Sequence, residues 1–238
     1  VGVHMHIAEA KSEVEYAKET RGCTTVTHLN RLGFLDKNVI AAHAVWLTNE
    51  EVEMFRDHGV KVSHNPASAM RVLGFAKIPR MLREGVCVAL GTDGAPTNNR
   101  MNMVDEMWVT SLIHKGWRLE PDVVKAEEIL AMATINGAKA VGEEELYGSL
   151  EAGKKADLIV IAPDISPDMV PVHDPIANLV TSMHSTNIQC TMCDGKWLMK
   201  DRVLLTIDEK EIIRLGKEHA AAICRRGNIS LPDRFPMI

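Results

Sequence analysis

The chain has 238 residues, 46% hydrophobic and 25% charged, enough apolar material to bury a core and too much for a wholly disordered polymer. Its 27 basic and 32 acidic side chains leave a net charge of −5, which argues against a nucleic-acid binder relying on bulk electrostatics. No apolar run reaches the ~18–20 residues of a membrane helix, the opening residues do not read as a secretory signal, and five thinly spread cysteines read as reduced thiols of a cytoplasmic protein.

In chain order, short β-branched runs at 1–7, 38–43, 59–64 and 86–91 alternate with amphipathic stretches at 11–20, 24–32, 49–57 and 77–84. Strands alternating with helices of this length predict βαβ units and a parallel sheet. Thr48 with Glu51 forms a capping box for the third helix, and Gly85 is placed to end the fourth. Helices dominate 101–140, with Pro121 and Gly137 as punctuation, and Asp105-Glu106 supplies negative charge to a helix start. After Gly148 the texture becomes antiparallel: strands at 157–161 and 187–193, then Asp194-Gly195 turning tightly into 196–199. An amphipathic helix is expected over 208–224, followed by a loose tail through Pro232 and Pro236. A domain boundary is therefore expected near residue 147.

The first four strands share one feature. Alternation puts His4 and His6 on the same face, with Glu9 just past the strand end. The next strands end in His43 and His64, and the fourth in Gly91-Thr92-Asp93-Gly94. A single histidine at a strand end is more often structural than a ligand. Three histidines and an aspartate at the carboxyl ends of four consecutive strands are harder to dismiss, because α/β barrels and open sheets build their active sites there. Histidine with aspartate suits a borderline divalent ion, Zn²⁺ first and Fe²⁺ second. Such an ion lowers the pKa of bound water toward ~7, and Glu9 is placed to shuttle the proton to a leaving group. These parts fit hydrolysis at a carbon that bears an amino or other leaving group.

The run His6-Ile7-Ala8-Glu9, with Ala42-His43, Ser63-His64-Asn65-Pro66-Ala67-Ser68 and Gly91-Thr92-Asp93-Gly94, resembles the amidohydrolase superfamily. It is most similar to the branch holding methylthioadenosine/S-adenosylhomocysteine deaminases, guanine and cytosine deaminases and triazine hydrolases. Gly148 to Leu158 resembles the point where these chains leave the barrel for a small β-sandwich. The resemblance implies an α/β fold: the C-terminal half of a (β/α)8 TIM barrel, strands five to eight, over 1–147, then a β-sandwich segment and C-terminal helix over 148–238. It implies that His6 and Asp93 are metal ligands, Glu9 the proton shuttle, His43 the histidine facing water and substrate, and Asp93 also the general base. His64, Arg71 and Asn98 are candidates for touching substrate or supporting the residues that do. The implied activity is metal-dependent hydrolytic deamination of a purine-like or other nitrogen heterocycle, adenosine thioethers first, with one metal ion and ammonia as product.

The family also carries a His-x-His pair on its first strand. His4-Met5-His6 is not that pair, because only three more strands precede the sandwich-like segment and four strands do not close a barrel. The chain begins at Val1, inside a strand, and reads as the lower half of a longer protein. With two metal ligands where catalytic zinc sites have at least three, it is expected to bind metal weakly and to be inactive alone. Its open edge strands are expected to make it self-associate or dissolve poorly, and a homo-oligomer is left open. Two other readings remain: a hydrolase displacing another leaving group from a triazine-like ring, and a catalytically dead paralogue serving as an interaction module. Among lesser signals, Cys190 and Cys193 read as packing residues, since i and i+3 on a strand face oppositely. Met70 and Arg71 are expected in a loop, Asn98 and Asn99 in another, and His28, His58, His114 and His219 on helix surfaces.

Overall fold

The computed structural model describes residues 2–230. Its element order is β1 (Val3–Ile7), α1 (Lys11–Arg21), α2 (Thr25–Arg31), β2 (Val39–His43), α3 (Asn49–His58), β3 (Lys61–His64), α4 (Pro66–Val72), α5 (Ile78–Arg83), β4 (Val88–Leu90), α6 (Ala95–Asn98), α7 (Met103–Arg118), α8 (Ala126–Ala133) and α9 (Ile135–Val141), then β5 (Leu158–Ile161), α10 (Pro175–Thr181), β6 (Ile188–Cys193), β7 (Lys196–Lys200), β8 (Val203–Leu204) and α11 (Glu209–Arg226). The tail through Pro232 and Pro236 lies outside the described residues. No described helix is long and apolar enough to cross a membrane.

Strands β1 to β4 form one parallel sheet in sequential order. Register fixes its two faces. His6 lies opposite Ala42, Ala42 opposite Ser63, and Ser63 opposite Ala89, so these side chains share one face. The alternate row of Ala41, Val62 and Val88 is fully buried on the other face, with Phe55, Ile78, Met81, Ile129 and Met132 in the same core. Each such large side chain contributes roughly 1.5–3 kcal/mol by leaving water. His4 and His6, by contrast, are exposed on the first face. Strands β5 to β8 form a separate antiparallel sheet, and α10 packs back against α7 and α8.

Local sequence explains most boundaries. Thr48 Oγ1 accepts from Glu51 N (3.2 Å) and Glu51 accepts from Thr48 N (2.8 Å), completing the capping box of α3. The β6–β7 hairpin has both central residues, Asp194 (φ 48°) and Gly195 (φ 74°), in the left-handed region that a type I′ turn requires. Asp208 caps α11 through Glu211 N at 3.1 Å. Four expectations need correction. Gly137 does not break the helical run; it lies inside α9, and the break falls at Thr134, whose backbone is not helical (φ −131°, ψ −100°). Met70 and Arg71 lie on α4, which starts at Pro66 in the first-turn position proline favours. Asn98 ends the short helix α6 rather than lying in a loop. His114 is not on the surface: it is fully buried.

Candidate active site

The carboxyl ends of β1, β2 and β4 carry an unusual backbone. Ala8 (φ 51°), His43 (φ 70°), Ala44 (φ 48°) and Asp93 (φ 61°) are all non-glycine residues in the left-handed region. Such residues are uncommon and cost of order 1–3 kcal/mol each, so surrounding bonds must hold them. They do. Glu13 accepts from the amides of Ala8 and Glu9, both at 2.9 Å. Ala8 O accepts from Val45 N (3.1 Å) and Trp46 N (2.9 Å), which pins the turn after β2 to the turn after β1. Asp93 Oδ1 accepts from Gly94 N at 2.5 Å.

This backbone brings four predicted residues together. His43 lies in register with buried Ile7, on the helix-facing row of the sheet. At its left-handed φ the ring instead stacks on His6, with centroids 5.2 Å apart and planes at 21°. Its Nε2 is 3.7 Å from Glu9 Oε1 and 3.9 Å from Asp93 Oδ2. The Asn65 amide is satisfied in one orientation, its nitrogen donating to His64 O (3.3 Å), Ser63 Oγ (3.1 Å) and Gly91 O (3.2 Å). Its oxygen then accepts from His43 Nδ1 at 3.4 Å, which leaves the Nε2 lone pair facing the two carboxylates. Burial holds the His43 pKa below the usual histidine value, against the opposing pull of Glu9 and Asp93. Asp93 is partly desolvated, which works to raise its pKa, but the Ser68 hydroxyl (2.6 Å to Oδ2) and the Gly94 amide outweigh this and hold it low. An open cleft of about 350 Å³ runs along this face, lined by His4, His6, His43, Asn65 and Asp93 among others.

His64 is not in that cleft. Ser63 holds the cleft-facing place on β3, and His64, 2% exposed, turns to the helical side. There Arg118 Nη1 donates to His114 Nδ1 (3.3 Å), so His114 carries its proton on Nε2 and donates it to His64 Nε2 at 3.1 Å. Burial, together with Arg118, pushes the His114 pKa down to about 3, and burial pushes His64 well below its ordinary value. Asn98 is buried with its amide committed to Thr92 O and Glu106 Oε1, both at 2.6 Å. Arg71 is exposed, bonded to Asn98 O (3.4 Å) and to Asn99 Oδ1. It lines a separate cavity of about 380 Å³ with Arg100, Trp108 and His184. Sequence reasoning missed Glu13, Asn65, Ser68 and Glu106 as site-supporting residues. Asn65 and Ser68 stand in the Ser63-to-Ser68 run, and Glu13 lies one helical turn after Glu9, so their positions were visible although their bonds were not.

The donor set fits a divalent ion. His6, Glu9 and His43 each present a ligand atom, all within 4.8 Å of one another, and Asp93 stands beside them. Mixed imidazole and carboxylate donors suit zinc. Residues 1–198 match the Amidohydrolase family over most of the chain. The chain belongs to the amidohydrolase family. Among curated amidohydrolase relatives, a 5-methylthioadenosine/S-adenosylhomocysteine deaminase of Aquifex aeolicus is 42% identical, over 91% of this chain and 50% of its own length. A 5'-deoxyadenosine deaminase of Methanobrevibacter smithii is 39% identical over the same shares. Among solved structures, an adenosine deaminase from Xanthomonas campestris with bound zinc superposes with a TM-score of 0.90 at 28% identity, over 94% of this chain and 51% of that one. An atrazine chlorohydrolase from Arthrobacter aurescens complexed with zinc follows at 0.85 and 29%, over 92% and 48%. These amidohydrolase neighbours imply a TIM-barrel-type α/β fold, and the chain spans about half the length of the curated relatives it matches.

Proposed function

We propose that this chain supplies strands five to eight of a (β/α)8 barrel, over residues 1–147, and a β-sandwich segment plus C-terminal helix, over 148–238, of a metal-dependent hydrolytic deaminase acting on adenosine thioethers. The observation that carries the reading is the convergence of Glu9 and Asp93 on His43 Nε2, at 3.7 and 3.9 Å, directly over His6. Two carboxylates in unequal environments around a neutral imidazole are a set for moving protons in opposite directions. The relatives' names supply the substrate class.

In this reading His6 and Asp93 hold one divalent ion, zinc before iron, with Glu9 and His43 beside it. When bound, the ion acts as a Lewis acid and lowers the pKa of a water toward ~7. Asp93, held low by Ser68 and Gly94, accepts the proton of the attacking water. His43, neutral and protonated on Nδ1, presents Nε2 to that water as an acceptor and orients it. Glu9, at the open side of the cleft, donates a proton to the ring nitrogen of the substrate. Water adds to the amino-bearing ring carbon; the proton taken by Asp93 passes to the amino group, the carbon–nitrogen bond breaks and ammonia leaves, while the new hydroxyl gives up its proton to restore Glu9 and the ring keeps the oxygen and the proton on its nitrogen. The cleft takes a small molecule, and nothing in the site calls for nucleic acid or a membrane.

Because in this reading only His6 and Asp93 ligate the ion, where a catalytic zinc site has at least three protein ligands, we infer that residues 1–238 alone bind metal weakly and do not turn over. Metal content and ammonia release are to be measured on this chain and on a form extended upstream. One tightly held ion and turnover by this chain alone would overturn the half-site reading. In the complete protein, Glu9→Gln is expected to lower turnover by orders of magnitude with the metal retained; unchanged turnover refutes the shuttle. The likeness to triazine hydrolases favours a second reading, displacement at a triazine-like ring, and a panel of adenosine thioethers, guanine, cytosine and a triazine separates the two.

A further inference from the structure

We propose that Glu106, on α7, is a positioning residue that holds the Ser68–Asp93 hydrogen bond in place by tying together the turns after β3 and β4. Its carboxylate is fully buried. Oε2 accepts from Ala67 N at 3.0 Å, the residue before Ser68. Oε1 accepts from Asn98 Nδ2 at 2.6 Å, and that same nitrogen donates to Thr92 O at 2.6 Å, the residue before Asp93. Asn98 Oδ1 accepts from the amides of Arg100 (3.0 Å) and Met101 (3.1 Å), so the asparagine cannot swing away. Each oxygen of Glu106 thus reaches one partner of the Ser68–Asp93 pair through the neighbouring residue, and the pair itself closes at 2.6 Å.

The energetics point the same way. Among the described residues no lysine or arginine pairs with Glu106. A buried carboxylate without a cation is costly, and an apolar side chain of similar shape would pack there at lower cost. Burial raises its pKa, opposed by the Ala67 and Asn98 bonds. The carboxylate is therefore unfavourable as core material, and what it adds is a fixed distance between two turns. Its place in the first turn of α7 led the sequence to be read as a charge on that helix's own dipole; its partners lie instead on α4 and α6. The inference rests on the proposed role of Asp93.

The test is the Asp93 carboxyl ¹³C resonance in the metal-free protein. Glu106→Gln keeps the shape and turns one acceptor into a donor facing a donor. It is expected to move the Asp93 resonance in the same direction as Ser68→Ala, and the double variant no further than Ser68→Ala alone. An unmoved resonance in Glu106→Gln, or a double-variant shift equal to the sum of the singles, overturns the proposal. If Glu106→Gln does not fold, Asn98→Ser, which cuts the Thr92 side of the link, carries the same expectation. Titration of the full-length protein with Zn²⁺ is expected to show about 10-fold weaker binding in each single variant, with no further loss in the double. If the unaltered protein binds no zinc, the metal reading of Asp93 fails, while the resonance still decides whether Glu106 positions it.

Discussion

Acidification should destabilise this protein well above the range where carboxylates titrate, and His114 is the reason. His114 and His64 are both buried, bonded Nε2 to Nε2 at 3.1 Å, and among the described residues no carboxylate pairs with either. The folded pKa of His114 is pushed down to about 3 by burial and by Arg118, and that of His64 also lies well below its ordinary value. In the unfolded chain both revert to the ordinary histidine value. The unfolded state therefore binds more protons below that value, and stability, full above it, falls as the pH drops toward the folded pKa. Between about pH 7.5 and about pH 5.5 the His114 ring should withdraw about 1.4 kcal/mol of stability, with His64 adding a loss of the same sign. The assay is urea unfolding across that interval for the native sequence and for His114→Gln, whose amide can donate to His64 and accept from Arg118 without titrating. The variant should lose about 1.4 kcal/mol less over the interval. Equal pH dependence in the two proteins, or none in the native one, would refute the reasoning.

Glu13→Ala removes the acceptor of two backbone amides at Ala8 and Glu9; it should cost about 1–2 kcal/mol in denaturant melts and, in the complete protein under the proposed deaminase reading, lower turnover with metal content unchanged. A Cβ at Gly91 would sit 2.8 Å from Ser63 Oγ and collide with the Asn65 amide. Gly91→Ala should therefore disturb the Asn65–His43 bond and, in the complete protein under the proposed deaminase reading, cost about 100-fold in turnover, a result separable from unfolding by circular dichroism. Phe55, fully buried on α3, should cost about 3–5 kcal/mol when cut to alanine, measurable as a lowered midpoint in urea.

Much of this architecture was legible in the sequence because it is written in local signals. Valine-rich runs that follow Gly59 and Gly85 mark β3 and β4, the Thr48–Glu51 pair marks the start of α3, and Asp194-Gly195 marks a hairpin. The gathering of His6, Glu9, His43 and Asp93 at one end of the sheet follows from strand order alone. What strand order does not carry is which way a terminal side chain turns. By alternation His43 and His64 both belong to the helix-facing row, and only the left-handed backbone at His43 returns one of them to the cleft. Histidine has no composition signal for that backbone, as glycine would. The burial of His114 and Glu106 was hidden for a related reason. Each has one partner roughly 40 to 50 residues away on another element, Ala67 for Glu106 and His64 for His114, and helical periodicity reports which face is apolar, not which polar group that face will meet.

The cleft floor is built from small side chains. Ala42, Ser63 and Gly91 occupy the positions beside His6, where larger residues would fill the space. The groups proposed to move protons, Glu9 and Asp93, sit on the turns beyond. Depth and reactivity are thus encoded by different residues. Lengthening Ala42 by a methyl or two, or Ser63 to threonine, which keeps the hydroxyl that accepts from Asn65, would make the hollow shallower and leave the turns as they are. A chain descended from this one could change the size of molecule it admits by single steps on two strands, without rebuilding the chemistry at their ends.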